Sequence, residues 1–319
     1  MFDKLKVCAA LLLCAVCNSS VVAQDFPKRQ PIKFVVPANA GGGTDLLARI
    51  TADFLSRKIG QTVVVENKPG ASGAIAAAYV DKAPADGYTL YFTSSEIAVL
   101  PAVRQNLPYK FDEFTYLVRA FSVQPMLIGS PKLPFSSVND LVDHMKKNPE
   151  KISYGSTGLG AIVHFGMALF EGGAGVKGLH VPYTGIAPVY QEMLAGRIDI
   201  TETTPPFAED FKPLASAGTR RNPAYPNVPT LEESGIKNAS WDIWYGVIAP
   251  RNLPKPIADR LAGELVELYR NPEAIAKFLN AAKFAPETAP LTGEAFRQQT
   301  LEEHRNWKAV AQREKVMIQ

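Results

Sequence analysis

The sequence predicts an α/β fold built as two units, each a mostly parallel sheet flanked by helices, and three observations predict it. Short runs of β-branched and aromatic residues alternate with stretches of helical period. Glycine- or threonine-rich turns join most of these runs to the helix that follows. This order of strand, turn and helix recurs in both halves of the 319 residues.

The chain opens with a leader. Lys4 and Lys6 precede an apolar run over residues 7–16, and Val21-Val22-Ala23 has the spacing of a signal-peptidase site, so residues 1–23 read as a cleavable export signal. The apolar run is shorter than the roughly 20 residues that span a bilayer, which argues against a membrane anchor. The residues before Cys14 and Cys17 fit a lipobox poorly.

Residues 32–36 then form a strand stopped by Pro37. The turn Ala40-Gly41-Gly42-Gly43-Thr44-Asp45 opens a helix that runs to residue 59, with Thr44 as N-cap and Gly60 as its stop. Such a turn leaves several N–H groups unpaired and aimed into one small volume, where the helix dipole adds to them. It is an anion cradle in outline. Residues 63–66 are a second strand, followed by a glycine turn at 67–73 and an alanine-rich helix at 74–82. Residues 88–93 are a third strand, and Ser94, Ser95 and Glu96 form another loop at its carboxyl end. Three loops thus converge on the edge where open α/β sheets bind ligands.

Residues 107–114 are aromatic and turn-rich, and the extended segments 115–123 and 126–130 carry the chain into a second unit. There a helix at 138–147 precedes a strand at 152–154, which runs into Gly155-Ser156-Thr157-Gly158-Leu159-Gly160 and a helix at 161–170. A strand at 179–181 runs into Pro182-Tyr183-Thr184-Gly185 and a helix at 187–194, and residues 198–201 lead into Glu202-Thr203-Thr204. Residues 213–217 offer a further strand, 222–229 a proline-rich connector, 231–234 a short helix, and 241–248 a strand that crosses back. Helices at 257–269, 273–281 and 294–313 complete the chain. The expected organisation is one lobe from residues 24–124 with 243–319 and another from 125–242.

Composition removes most chemistry. The three cysteines, Cys8, Cys14 and Cys17, all lie in the leader, so the exported chain has no thiol. The formal net charge is +3, with no basic cluster interleaved with aromatics, so no nucleic-acid partner is expected. No lysine follows Gly43 as a P-loop requires, and Gly158-Leu159-Gly160 begins a dinucleotide fingerprint that ends on Val163. Histidines 144, 164, 180 and 304 show no ligand spacing, so neither metal nor cofactor is expected. Gly70-Ala71-Ser72-Gly73-Ala74 lacks the last glycine of a nucleophile elbow. A secreted hydrolase would need Ser72 or Ser156 as nucleophile and His164 as the nearby base. His164 otherwise contacts a ligand or simply packs on its turn. Glu96 either accepts a hydrogen bond from a ligand amine, fixes a water, or is a loop residue without a role. Trp241, Trp244 and Tyr245 read as strand and hinge core.

The motifs Val36-Pro37 through Gly41-Gly42-Gly43-Thr44-Asp45, Val65-Glu66-Asn67-Lys68-Pro69-Gly70, Asp86-Gly87-Tyr88-Thr89-Leu90, His180-Val181-Pro182-Tyr183 and Pro226-Asn227-Val228-Pro229-Thr230 occur in that order. In this the chain resembles the Bug (TctC-like) extracytoplasmic solute receptors of tripartite tricarboxylate transporters. The resemblance implies a monomeric, periplasmic, two-lobe binding protein of the type II, Venus-flytrap kind, without catalysis, that delivers a small organic acid to membrane permease subunits. A signalling receptor of the same fold is the alternative. Carried over, the resemblance assigns carboxylate contacts to Ala40, Gly41, Gly42, Gly43, Thr44 and Asp45 and to Gly155, Ser156, Thr157 and Gly158, with Tyr183, Thr184 and Gly185 lining the pocket. Three departures bear on the ligand. Ala40 replaces a common proline, Thr203 a common aspartate, and Glu96 a small or hydroxyl residue. The segment 207–219 also looks shorter than usual.

Overall fold

In a computed structural model, residues 26–205, 207–282, 287 and 289–313 are described, and the leader with its three cysteines lies outside them. Two sheets organise the chain. The larger contains β1 (Ile32–Val36), β2 (Val63–Asn67), β3 (Thr89–Ser94), β4 (Thr115–Val123), β10 (Ile243–Ala249) and β11 (Leu291–Thr292), in the order β11-β4-β10-β3-β1-β2. The smaller contains β5 (Met126–Gly129), β6 (Ser153–Ser156), β7 (Leu179–Pro182), β8 (Ile200–Thr203) and β9 (Lys212–Ser216), in the order β7-β6-β8-β5-β9.

Both sheets are mixed. β1 pairs in parallel with β2 and β3, and β6 in parallel with β7 and β8. The antiparallel pairs arise because β10 inserts between β3 and β4, and β5 between β8 and β9. These insertions leave most strands in each sheet pointing one way, so the carboxyl ends of β1, β2 and β3 share one edge, as do those of β6, β7 and β8.

The helices that follow these strands are α1 (Gly43–Ile59), α2 (Ala74–Asp81), α3 (Glu96–Val103), α4 (Val138–Lys147), α5 (Ile162–Ala174) and α6 (Ile186–Ala195). Three more, α7 (Lys255–Arg270), α8 (Pro272–Ala282) and α9 (Gly293–Arg313), pack on the larger sheet. Two local expectations fail. Residues 231–234 form a hydrogen-bonded turn, in which Thr230 Oγ1 accepts the Glu233 N–H at 3.0 Å and the Glu233 carboxylate accepts the Thr230 N–H at 2.8 Å. Glu96, expected in a loop with Ser94 and Ser95, instead opens helix α3, and its run Ile97-Ala98-Val99-Leu100, for which the sequence predicts no element, is buried on every side and so shows no amphipathic period.

The chain crosses between sheets twice, at neighbouring places. Val123 at the end of β4 is paired with Ile243 at the start of β10, so the two crossings run side by side. Ala217 N–H donates to the Pro125 carbonyl at 2.8 Å and Trp241 N–H to the Ala217 carbonyl at 2.9 Å, which ties them together. Trp241 packs edge-on against Trp307 of α9, and Phe165 of α5 does the same. All three tryptophans of the chain, Trp241, Trp244 and Trp307, therefore lie at or beside the hinge.

Candidate functional site

The loop after β1 is exposed from Asn39 to Gly43. Gly41 sits at φ +85°, where an L side chain is strained, and a Cβ on Gly41 or Gly43 would point into open space. The first rung of α1 is the bond from Leu46 N–H to the Gly42 carbonyl, at 2.9 Å. The amides of Gly43, Thr44 and Asp45 therefore have no acceptor within the helix, and the positive end of its dipole lies among them. Gly42, with extended backbone, is the cap residue in place of Thr44, whose side chain is turned to the Tyr245 phenol instead.

Asp45 shapes this loop from beneath. It is only 2 % exposed, and its carboxylate accepts the Gly41 N–H at 2.8 Å, Arg49 Nε at 2.9 Å and Asn67 Nδ2 at 2.8 Å. Burial alone would raise its pKa, but the bonds from Arg49, Gly41 and Asn67 outweigh burial and hold it below the ordinary carboxylate range. Asn67 also donates to the Ala38 carbonyl at 2.9 Å, so the last residue of β2 pins the loop that follows β1. An ionised carboxylate only accepts hydrogen bonds, so the Asp45 side chain cannot itself hold an anion. Asp45 is a pin of the loop, and the exposed surface that remains for a ligand is residues 40–44.

The second loop has the same outline and a different pin. Gly155 and Ser156 belong to β6 and are buried; a Cβ on Gly155 would come 2.5 Å from Val189. Ser156 Oγ pairs with His180 Nε2 at 2.7 Å and accepts the Gly158 N–H at 3.2 Å. His164 Nδ1 accepts the Gly160 N–H at 3.0 Å, and the His164 and His180 rings stack 4.0 Å apart, with the Tyr154 ring stacked 4.9 Å from His180 and 6.5 Å from His164. Burial, then the neighbouring His180 and Lys177, push His164 down to about 4; burial and Lys177 lower His180 as well. Both rings are held neutral. The open part of this loop is residues 157–159, beside Tyr183, exposed Thr184 and Gly185, where a Cβ on Gly185 would meet nothing. Tyr183 N–H donates to the Ser156 carbonyl at 3.0 Å, which joins the two loops.

These contacts withdraw support from a hydrolase. His164 is committed to Gly160, while the histidine beside Ser156 is His180, and Ser156 is fully buried among groups that it pins. Thr203 is buried too, with its hydroxyl on Tyr190 at 2.7 Å.

Two features of the site escape a reading of the sequence. Tyr245 of β10 shares side-chain hydrogen bonds with Thr44 from one lobe and Thr204 from the other, and burial, with Glu96 adding, pushes its phenol up to about 12. Ala71 and Ser72, in the turn after β2, both sit in the left-handed region, φ +48° and +49°. The signal for the turn is the flanking pair Gly70 and Gly73; nothing in a Trp-Tyr strand marks Tyr245.

Comparison with known proteins follows this geometry. The profile of the tripartite tricarboxylate transporter family receptor, TctC, matches residues 47–315. The chain belongs to this receptor family. It is 34 % identical over 281 residues to a UPF0065 protein of Pseudomonas sp. strain P51, encoded between tcbD and tcbE, covering 85 % of this chain and 83 % of that one. The solved structure of the periplasmic binding protein BugD superposes with a TM-score of 0.82 at 29 % identity, over 91 % of this chain and 99 % of the other. R. palustris Rpa4515 with adipate superposes at 0.83 and 30 % identity, over 92 % and 99 %. The receptor fold is thus a two-lobe periplasmic binding protein, and the family is one of receptors rather than enzymes. Among the described residues no helix is long and apolar enough to cross a membrane, and no group of three His, Cys, Asp or Glu could hold a metal ion.

Proposed function

We propose that this receptor captures a small carboxylate-bearing solute, such as a dicarboxylate, an acidic amino acid or an aromatic acid, between its lobes and hands it to the permease subunits of a tripartite tricarboxylate transporter. The single observation that carries the reading is the exposed N-terminus of α1, where among the described residues the amides of residues 43–45 have no acceptor and the acid of that turn, Asp45, is consumed from below. A carboxylate fits such a place without a counter-charge on a side chain. The adipate carried by Rpa4515, 30 % identical, supports the class.

In this reading residues 24–124 with 243–319 form one lobe and 125–242 the other, residues 1–23 direct export to the periplasm, and the protein acts as a monomer. Ligand contacts from residues 40–44, 157–159 and 183–185 favour the closed state, because only there can one solute touch both loops. Equilibrium titration with a panel of dicarboxylates, amino acids and aromatic acids tests it. Because all three tryptophans lie at or beside the hinge, closure is expected to change intrinsic fluorescence and raise the melting temperature. A silent response to every carboxylate would overturn the reading.

A further inference from the structure

One charged group at the carboxyl edge of the larger sheet is left over by a carboxylate site. Glu96 opens α3 directly after β3 and is half-buried. A Cβ on Gly73 would stand 3.1 Å from the Tyr91 hydroxyl, 3.3 Å from Pro37 Cβ and 4.0 Å from Glu96 Oε2, so the carboxylate sits where the ends of β1, β2 and β3 meet. Burial is the main reason that the phenols of Tyr91, Tyr109 and Tyr245 titrate high, and the charge of Glu96 adds to all three. That places Glu96 beside Tyr245, the residue bonded to Thr44 and Thr204 on either side of the cleft.

Among the described residues no group answers this carboxylate. The Tyr91 hydroxyl donates to the Gly73 carbonyl at 3.2 Å, and the Tyr245 hydroxyl is engaged with the two threonines. Among the described residues no cation or N–H donor is bonded to the Glu96 side chain; the hydrogen bond that Glu96 makes is from its backbone N–H to Ser94 Oγ at 3.5 Å. Burial alone acts on its titration and raises its pKa. A half-buried carboxylate without a partner repels a second anion and attracts a cation that arrives with water stripped from it.

We propose that Glu96 is a specificity determinant that receives an ammonium group on the solute while the amides at the start of α1 hold its carboxylate. The preferred solute is then an amino-bearing acid, with the two charges set apart as the two halves of the site are, and not a plain dicarboxylate. This inference rests on the receptor reading above.

Calorimetric titration of the ligand-free protein at pH 7.5 with two matched pairs, glutamate against glutarate and aspartate against succinate, tests it. The amino member of at least one pair is expected to bind ~10- to 100-fold more tightly, the span that a charge-assisted hydrogen bond supports. E96Q keeps the shape and removes the charge; it is expected to erase most of that gap and to improve binding of the plain acid. An equal or weaker affinity for the amino members, or a gap that E96Q leaves unchanged, overturns the assignment. So does a plain diacid whose affinity falls as pH rises in the wild type and not in E96Q, since Glu96 would then be donating a proton to the ligand. Tight binding of plain acids alone leaves the receptor reading intact, whereas silence toward every acid of both kinds overturns that reading and this inference together. E96Q removes an unpaired charge, and a melting temperature equal to or above that of the wild type confirms that it folds.

Discussion

The loops after β1 and β6 have the same backbone task and opposite electrostatics. The first is pinned by a buried carboxylate, Asp45, that gathers donors from Gly41, Asn67 and Arg49. The second is pinned by neutral groups, a serine hydroxyl and two stacked imidazoles, that satisfy the amides of Gly158 and Gly160. An anion cradle therefore does not prescribe its scaffold. It prescribes exposed amides, and any set of acceptors that holds the turn from behind suffices.

Removing the charged pin should have the largest effect. D45A removes at once the acceptor of the Gly41 amide, of one Asn67 side-chain N–H and of Arg49 Nε, and is expected to cost about 3 kcal/mol in urea unfolding together with a loss of solute affinity. A loss below ~1 kcal/mol with affinity intact would show that the glycines hold their conformation unaided.

Acid should separate the loops next. His164 is held near 4 in the folded state and near its ordinary value of 6.5 when unfolded, so the unfolded chain binds the proton first and stability is lost as pH falls from about 6.5 to about 4, on the order of 2 kcal/mol. Asp45, depressed below 3.8, keeps its contribution above that value and loses it only at lower pH. Glu202, pushed by burial up to about 8 against its bond from Trp241, and Glu303, raised to about 7, act with the opposite sign, since their neutral folded forms lose stability as pH rises. A local probe is therefore required. Amide exchange at Gly158 and Gly160, relative to the intrinsic rate, is expected to quicken by pH 4.5 while that of Gly41 stays protected; simultaneous loosening would erase the distinction.

The smallest effect belongs to S156A, which removes the acceptor of the Gly158 amide and the partner of His180 and is expected to cost about 1 kcal/mol. Rescue of the loop by neighbouring water would appear as no change in chemical denaturation.

The turns were legible in the sequence because glycine, threonine and β-branched runs have local causes. Strand, turn and helix follow in order at Val36, Gly41 and Gly43, and again at Ser156, Gly158 and Ile162. What holds the turns is not local. Asn67 is 22 residues from Asp45, and His180 is 24 from Ser156, so neither pairing shows as a spacing. The motifs that carry the family resemblance turn out to contain these pins: Asn67 in the run to Gly70, and His180 in the run to Tyr183. The order of strands was equally hidden, because the place of β10 between β3 and β4 depends on partners more than 100 residues away. Helix α3 escaped notice because burial on all sides erases periodicity.

The two crossings leave the larger sheet side by side at the paired residues Val123 and Ile243 and are tied through Ala217, which bonds to Pro125 and to Trp241, with Trp241 wedged between Glu202, Gly166 and Trp307. Mechanically, two adjacent connectors cross-tied at one point resist twisting and sliding more than they resist bending about the line that joins them. In the receptor reading proposed above, such a joint favours one bending motion over twist and slide. On that reading the same bend is what would bring the loops after β1 and β6 onto one solute, with little freedom for them to meet in any other register.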